Sequence, residues 1–284
     1  MRALGNPLGL SFSGSGFLTA YQLGVATSFR EHAPELLEKV TCYLGASGGS
    51  VVATLLAAAP HQLNPFVNEF CLRGRNLSGL KELLPHDAHQ LVNHRLCISV
   101  TEAHTGENRV LSKFQSRDEL VRSVEASCHI PPDFHPLDLL RLHRRSKQIL
   151  NSARHEGAGI EIGGIRYTDG GFSNSMPLAS SLDGIHQTIT VSPFNGYCSH
   201  NDTRDSECKH HHICPNEKPS WASRMMALET QGVCIYMTVA NIRRANVALL
   251  GGHPEVLRMF YTDGQRDGQR FLSSIEPQAQ ESTR

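Results

Sequence analysis

Val40-Thr41-Cys42-Tyr43-Leu44-Gly45-Ala46-Ser47-Gly48-Gly49-Ser50-Val51-Val52-Ala53-Thr54-Leu55-Leu56 is the stretch that decides the fold. Val40 to Leu44 is apolar and β-branched, which predicts a strand. Gly45 to Gly49 is a glycine-rich turn. Ser50 to Ala59 is apolar and free of breakers, which predicts a buried helix that Pro60 stops. A strand running through a tight turn into a helix is the unit of an α/β layer fold. In open α/β sheets, functional groups gather at the carboxyl ends of the strands.

The same alternation extends outward. Leu8 to Phe12 reads as a strand that enters a second glycine turn, Ser13-Gly14-Ser15-Gly16. A helix follows, roughly Phe17 to His32, with Leu18, Tyr21, Val25 and Phe29 on one face. Arg95 to Thr101 and Asn108 to Leu111 predict strands, and Arg117 to Cys128 a helix. Ile160 to Tyr167 reads as a strand or hairpin around Gly163-Gly164, delivering Asp169-Gly170-Gly171. Gln187 to Ser192 alternates threonine with β-branched residues and predicts another strand. Trp221 to Leu250 and Glu255 to Ser273 read as mainly helical. Strands alternating with helices imply a largely parallel sheet.

Composition narrows the function classes. The chain has 284 residues, with 39% hydrophobic and 19% charged side chains, which excludes a disordered or fibrous chain. Lys plus Arg is 27 and Asp plus Glu is 27. That zero balance argues against a dedicated nucleic-acid binder. The start, Met1 to Pro7, lacks the apolar core of a secretory signal, and Leu44 to Ala59 is too short and glycine-broken to span a bilayer. The expectation is a cytoplasmic protein, neither secreted nor membrane-spanning, with its eight cysteines reduced.

Gly45-Ala46-Ser47-Gly48-Gly49 fits G-x-S-x-G between strand and helix. A sharp strand-to-helix turn strains the central residue and exposes its side chain, while the following helix aims its amides at that position. Ser47 therefore reads either as a nucleophile or as a helix-capping serine in a glycine turn. The amides of Ser13 to Gly16 suit an anion. That anion is either an oxyanion beside Ser47 or a nucleotide phosphate. The nucleotide reading is the poorer fit, because the last glycine of G-x-G-x-x-G and a Walker lysine are missing. Asp169, on a glycine turn after a strand, is placed to act as general base, although D-G-G alone is an ordinary turn signal.

Taken in order, the first glycine turn, G-x-S-x-G and D-G-G resemble the patatin-like phospholipase domain family, in its animal branch. Leu10 to Leu18, Asn93 to Leu96, Ile98 to Thr101, Asp169 to Pro177 and Thr188 to Phe194 carry the likeness, which covers roughly residues 8 to 195. The resemblance implies a three-layer α/β/α sandwich with a mainly parallel central sheet. It also implies hydrolysis of acyl esters in phospholipids or acylglycerols by a Ser–Asp dyad. On that reading Ser47 is the nucleophile and Asp169 the base. The amides of Gly14, Ser15 and Gly16 form the oxyanion hole, and Gly45, Gly49, Gly170 and Gly171 shape the elbow and the aspartate turn. No metal or organic cofactor is implied. The substrate is triacylglycerol or phospholipid, met at a lipid-droplet or membrane surface to which the protein binds peripherally. Residues 8–195 form the hydrolase domain. Residues 196–284 form a polar His/Cys-containing loop and a helical extension packed on it.

Three departures accompany the resemblance. Thr19 replaces a glycine that often closes the family's first motif. The segment between Pro60 and Leu84 is short for the family, and Asp133 to Gly157 resembles an insertion. The last two motivate an alternative, a catalytically weak or inactive lipid-droplet protein that binds lipid or regulates a partner. Within the insertion, Leu137 to Lys147 mixes leucines with basic residues and reads as a solvated face or a membrane-facing helix. Cys198, Cys208, His210, His211, His212 and Cys214 read as a polar loop, with zinc ligation as the alternative. Several histidines follow Ser47, so a Ser-His-Asp triad is not excluded by counting, but His186 before a strand and His253 in a Gly-Gly-His-Pro turn both read first as structural.

Overall fold

The computed structural model describes Leu4 and residues 7–73, 78–131, 159–179, 184–198, 209–230 and 232–275. The expected insertion at 133–157, with its basic stretch, lies outside the described residues, as does Cys208.

The chain opens with β1 (Leu8–Phe12), a 3₁₀ turn (Gly16–Leu18) and α1 (Thr19–His32). Next come α2 (Pro34–Glu38), β2 (Val40–Ala46), α3 (Gly48–Ala58), α4 (Leu63–Arg73), α5 (Ser78–Leu83) and α6 (Ala88–Val92). β3 (Leu96–Glu102), β4 (Asn108–Leu111) and α7 (Arg117–Ser127) follow, then the hairpin β5 (Ile160–Ile162) and β6 (Ile165–Asp169). After β7 (Gln187–Val191) come β8 (Gly196–Cys198), β9 (Lys209–Ile213), α8 (Trp221–Met225), β10 (Leu228–Thr230), β11 (Val233–Ile235), α9 (Val239–Leu250) and α10 (Pro254–Ile275).

The central sheet runs β5-β6-β3-β2-β1-β7-β9, with β4 also on β3. From β3 to β9 all pairings are parallel, and β4, β5 and β6 are antiparallel. The α/β architecture and mainly parallel sheet expected from the sequence are therefore present. Leu8, Leu10 and Phe12 of β1, Ile98 and Val100 of β3 and Ile189 and Val191 of β7 belong to the main core with α1, α3, α4 and α10. A smaller cluster of Cys42, Leu44, Cys97 and Ala179 lies apart from it. A side chain at Gly24 would strike the Tyr261 carbonyl, and one at Gly264 the Tyr21 carbonyl, so these glycines let α1 and α10 pack backbone to backbone. Tyr21 donates to Asp267 Oδ2 (2.8 Å) across that contact.

Two sequence expectations need correction. The Cys198 to Cys214 stretch is not loop throughout: Lys209–Ile213 is an edge strand, with His210, His211 and His212 registered against Thr188, Ile189 and Thr190. Its polar composition hides a strand whose ladder bonds are backbone bonds. The region from Trp221 to Leu250 is not helical throughout either. β11 pairs with β10 on one side and β8 on the other in a separate antiparallel sheet. Three-residue strands are too short to show a period of two. Gly232, at φ 91°, leads into β11.

Candidate active site

Ser47 sits between β2 and α3 with φ 50° and ψ −131°. A non-glycine residue at positive φ is strained, and here the flanking structure leaves no alternative. A Cβ on Gly45 would lie 2.5 Å from the Gly49 carbonyl, and one on Gly49 would overlap the Phe12 carbonyl oxygen. The two glycines two residues either side of Ser47 are thus required by contact with backbone, as the elbow predicts. Ser127 Oγ accepts from the Ser47 amide (2.8 Å) and donates to the Ser99 carbonyl (2.7 Å). Ser50 Oγ donates to the Ser47 carbonyl (2.7 Å). The elbow is therefore held from both of its peptide groups.

Strand register brings the acid to the serine. On β3, Ser99 pairs with Ala46 and the next residue, Val100, pairs with Asp169. The end of β2 and the end of β6 thus meet along one strand, and Ser47 follows Ala46 directly. Ser47 Oγ donates to Asp169 Oδ2 at 2.7 Å. The other carboxylate oxygen, Oδ1, accepts from the Gly171 amide (2.8 Å). Thr101 Oγ1 donates to the Asp169 carbonyl (2.7 Å), and the Asp169 amide donates to the His129 carbonyl (2.9 Å). Ser47 is 5% exposed and Asp169 4%. A short hydrogen bond to a carboxyl oxygen in so buried a site is strong and well oriented. Below it, Asn108 Nδ2 donates to Ser99 Oγ (2.8 Å) and Ser173 Oγ (3.0 Å).

The first glycine turn lies against the elbow. A Cβ on Gly14 would stand 3.7 Å from Ser47 Cβ, and one on Gly48 3.0 Å from the Gly16 carbonyl. Of the three amides expected to face an oxyanion, that of Gly14 donates to the Ser175 carbonyl (2.9 Å). Those of Ser15 and Gly16 make no hydrogen bond among the described residues, nor do those of Gly48 and Gly49 at the start of α3. Gln22 braces the turn: its Nε2 donates to the Ser13 carbonyl (2.8 Å), and Ser15 Oγ donates to its Oε1 (3.0 Å). A side chain on Gly170 would strike the Ser99 carbonyl, which keeps the aspartate turn tight against β3.

Sequence reasoning missed Ser127, Gln22 and the amide of Gly48. Ser127 acts across 80 residues and leaves no local signal. Gln22 left none either, since its burial shows only in the structure and the same helix also buries Thr19, Thr27 and Ser28. Gly48 is readable from the elbow itself, since the residue after the nucleophile begins the helix. His186 and His253 are exposed and neither hydrogen-bonds Ser47; His253 lies 3.9 Å from Glu255. Among the described residues no set of three His, Cys, Asp or Glu is arranged to hold a metal, and no helix is long and apolar enough to cross a membrane. A groove of about 960 Å³ beside α7 is lined by Lys81, Asp118, Arg122, Glu125 and Arg166. It is charged, and neither Ser47 nor Asp169 borders it.

Comparison with known proteins bears on these residues. The patatin-like phospholipase family model matches residues 10–76, which hold the glycine turn and the elbow. Human patatin-like phospholipase domain-containing protein 2 is 33% identical over 281 residues, 93% of this chain and 48% of that protein. Human patatin-like phospholipase domain-containing protein 4 is 28% identical over 284 residues, covering 93% of this chain and 96% of that protein. A human protein named 1-acylglycerol-3-phosphate O-acyltransferase is 30% identical over 281 residues, again 93% of this chain and 50% of that protein. The chain spans about half the length of the first and third of these relatives.

Proposed function

This chain belongs to the patatin-like phospholipase family, and from that premise we propose that it is a serine acyl-ester hydrolase that releases fatty acid from triacylglycerol or phospholipid. The observation that carries the reading is the 2.7 Å bond from Ser47 Oγ to Asp169 Oδ2 on a strained elbow.

In the proposed cycle Asp169 takes the Ser47 proton as Oγ bonds to the ester carbonyl carbon. The oxyanion so formed lies toward the Ser15, Gly16 and Gly48 amides and the positive end of α3. Collapse breaks the bond to the alcohol oxygen, which leaves with the proton held by Asp169. A water then gives its proton to Asp169 and its oxygen to the acyl carbon. The fatty acid departs and the proton returns to Ser47. The Gly171 amide fixes the carboxylate throughout, so Oδ2 faces the serine in both halves. No metal enters these steps.

A second reading has a specific support, the relative named as an acyltransferase. If an alcohol replaces water in the second half, the same acyl-serine gives a new ester. Incubating wild type and Ser47→Ala with an acyl-labelled long-chain glyceride, with and without a lysolipid acceptor, tests both. The expected result is fatty acid release that needs Ser47. Label appearing only in new ester would replace hydrolysis with transfer, and release that survives in Ser47→Ala would overturn the dyad.

A further inference from the structure

From the end of β9 to the first turns of α9 the chain exposes apolar side chains of a size usually buried. Trp221 is 78% exposed, Met225 70%, Met226 66% and Val239 67%, and Ile242 on the next turn of α9 is also exposed. Exposed apolar groups gathered on one segment mark an interaction surface. The charges beside them are mostly positive. From Lys218 to Arg243 the chain carries Lys218, Arg224 and Arg243 against a single carboxylate, Glu229. All three cations are exposed and form no ion pair among the described residues. The fourth, Arg244, is turned inward, where Nη1 donates to Glu217 Oε2 (3.1 Å).

That inward bond also ties the segment together. Glu217 anchors the residues before α8 to α9. Asn195 Nδ2 donates to the Pro215 and Glu217 carbonyls, and Asn241 Nδ2 donates to the Asn195 carbonyl. The segment leaves the sheet at Ile213, the end of β9, which pairs with Val191 of β7, itself the partner of Phe12 just before the glycine turn. It returns through α9, whose Ala248 carbonyl would strike a side chain on Gly16. The segment that carries these side chains is therefore anchored at both ends beside the candidate oxyanion loop.

We propose that Trp221, Met225, Met226, Val239 and Ile242, with Lys218, Arg224 and Arg243, seat the protein on a lipid–water interface bearing anionic headgroups. Apolar side chains enter the headgroup boundary while cations pair with phosphate and carboxylate groups around them. This deepens the acyl-hydrolase reading and rests on it, since an insoluble ester has to reach Ser47 from an interface. The single tryptophan of the chain, Trp221, lies in the surface and reports on it.

The experiment titrates full-length Ser47→Ala, which cannot consume the lipid, with phosphatidylcholine vesicles with and without phosphatidylserine. Trp221 emission should shift to the blue and be quenched by brominated acyl chains, more strongly with phosphatidylserine and less at high salt. Arg224→Glu with Arg243→Glu should weaken partitioning roughly tenfold or more. Trp221→Ala with Met225→Ala and Met226→Ala, read by vesicle flotation, should do the same. In the wild-type background both variants should hydrolyse a water-soluble short-chain ester as wild type does. An unshifted Trp221 emission with intact ester turnover would overturn the docking surface and leave the hydrolase reading standing. A blue shift without any turnover in wild type would do the reverse. A shift that follows protein concentration without vesicles would assign the face to a second copy of the chain and overturn the lipid proposal.

Discussion

Acidification should destabilise this protein through one buried histidine. His212, on edge strand β9, sits with Nδ1 2.9 Å from Thr190 Oγ1, while its Nε2 is buried with no partner among the described residues. Thr190 Oγ1 donates to the His211 carbonyl (3.1 Å), so its lone pairs are free for an Nδ1–H, and Nε2 carries the bare lone pair. Protonation would place an N–H⁺ where nothing accepts it. Burial accordingly lowers the imidazole from its ordinary 6.5 to about 4. Below pH 6.5 the unfolded chain binds a proton that the folded chain refuses until about pH 4. Stability due to His212 is thus complete above pH 6.5 and falls as pH drops through that window. At 1.36 kcal/mol per pH unit the full loss is about 3 kcal/mol, and about 2 kcal/mol by pH 5. Urea unfolding of wild type and His212→Asn at steps from pH 7 to pH 4 isolates the effect. The asparagine amide can donate to Thr190 but does not titrate. Its stability should be lower at pH 7 and decline more shallowly below pH 6.5. Parallel pH curves for the two proteins would refute the reasoning.

Other expectations concern the site and its supports. Ser127→Ala removes the acceptor of the Ser47 amide and should cost about 1–3 kcal/mol in thermal melts. It should also lower kcat for a soluble ester with little change in KM; an unchanged kcat would remove Ser127 from the positioning of the elbow. Gly49→Ala forces a methyl group onto the Phe12 carbonyl, so soluble expression and circular dichroism should show loss of the native fold. Tyr21→Phe strips Asp267 Oδ2 of its 2.8 Å donor between α1 and α10 and should lower stability by about 1–3 kcal/mol in chemical unfolding. Ester hydrolysis should be unchanged by a chelator, because the proposed chemistry runs through Ser47 and Asp169 alone; strong inhibition would contradict it.

What was legible in the sequence follows the range of the forces involved. Val40 to Leu44 and Leu8 to Phe12 announce strands because apolar and β-branched residues there meet glycine turns within a few residues. Gly45 and Gly49 were readable from the G-x-S-x-G spacing, although only the contact that demands Gly45 is local and the one that demands Gly49 is with Phe12 on β1. The meeting of Ser47 with Asp169 was not a local fact. It depends on Ser99 and Val100 of β3 taking different partners, and only the resemblance to known sequences pointed to it. Ser127 and Asn108 act through hydrogen bonds between distant segments, which no spacing encodes. The strand Lys209–Ile213 escaped notice because histidine and lysine give no apolar alternation. Its place is set by pairing with β7, and its cost appears as the orphaned Nε2 of His212.

The most direct test of the account is covalent labelling of the serine. Purified wild type, Ser47→Ala and Asp169→Asn, each verified as folded by thermal melt, are treated with a fluorophosphonate and read by intact mass and peptide mapping. The account predicts one adduct per wild-type chain, on Ser47, absent from Ser47→Ala and much slower in Asp169→Asn. A well-folded wild type that takes up no label, or labelling of Ser47 at the same rate without the Asp169 carboxylate, would contradict it.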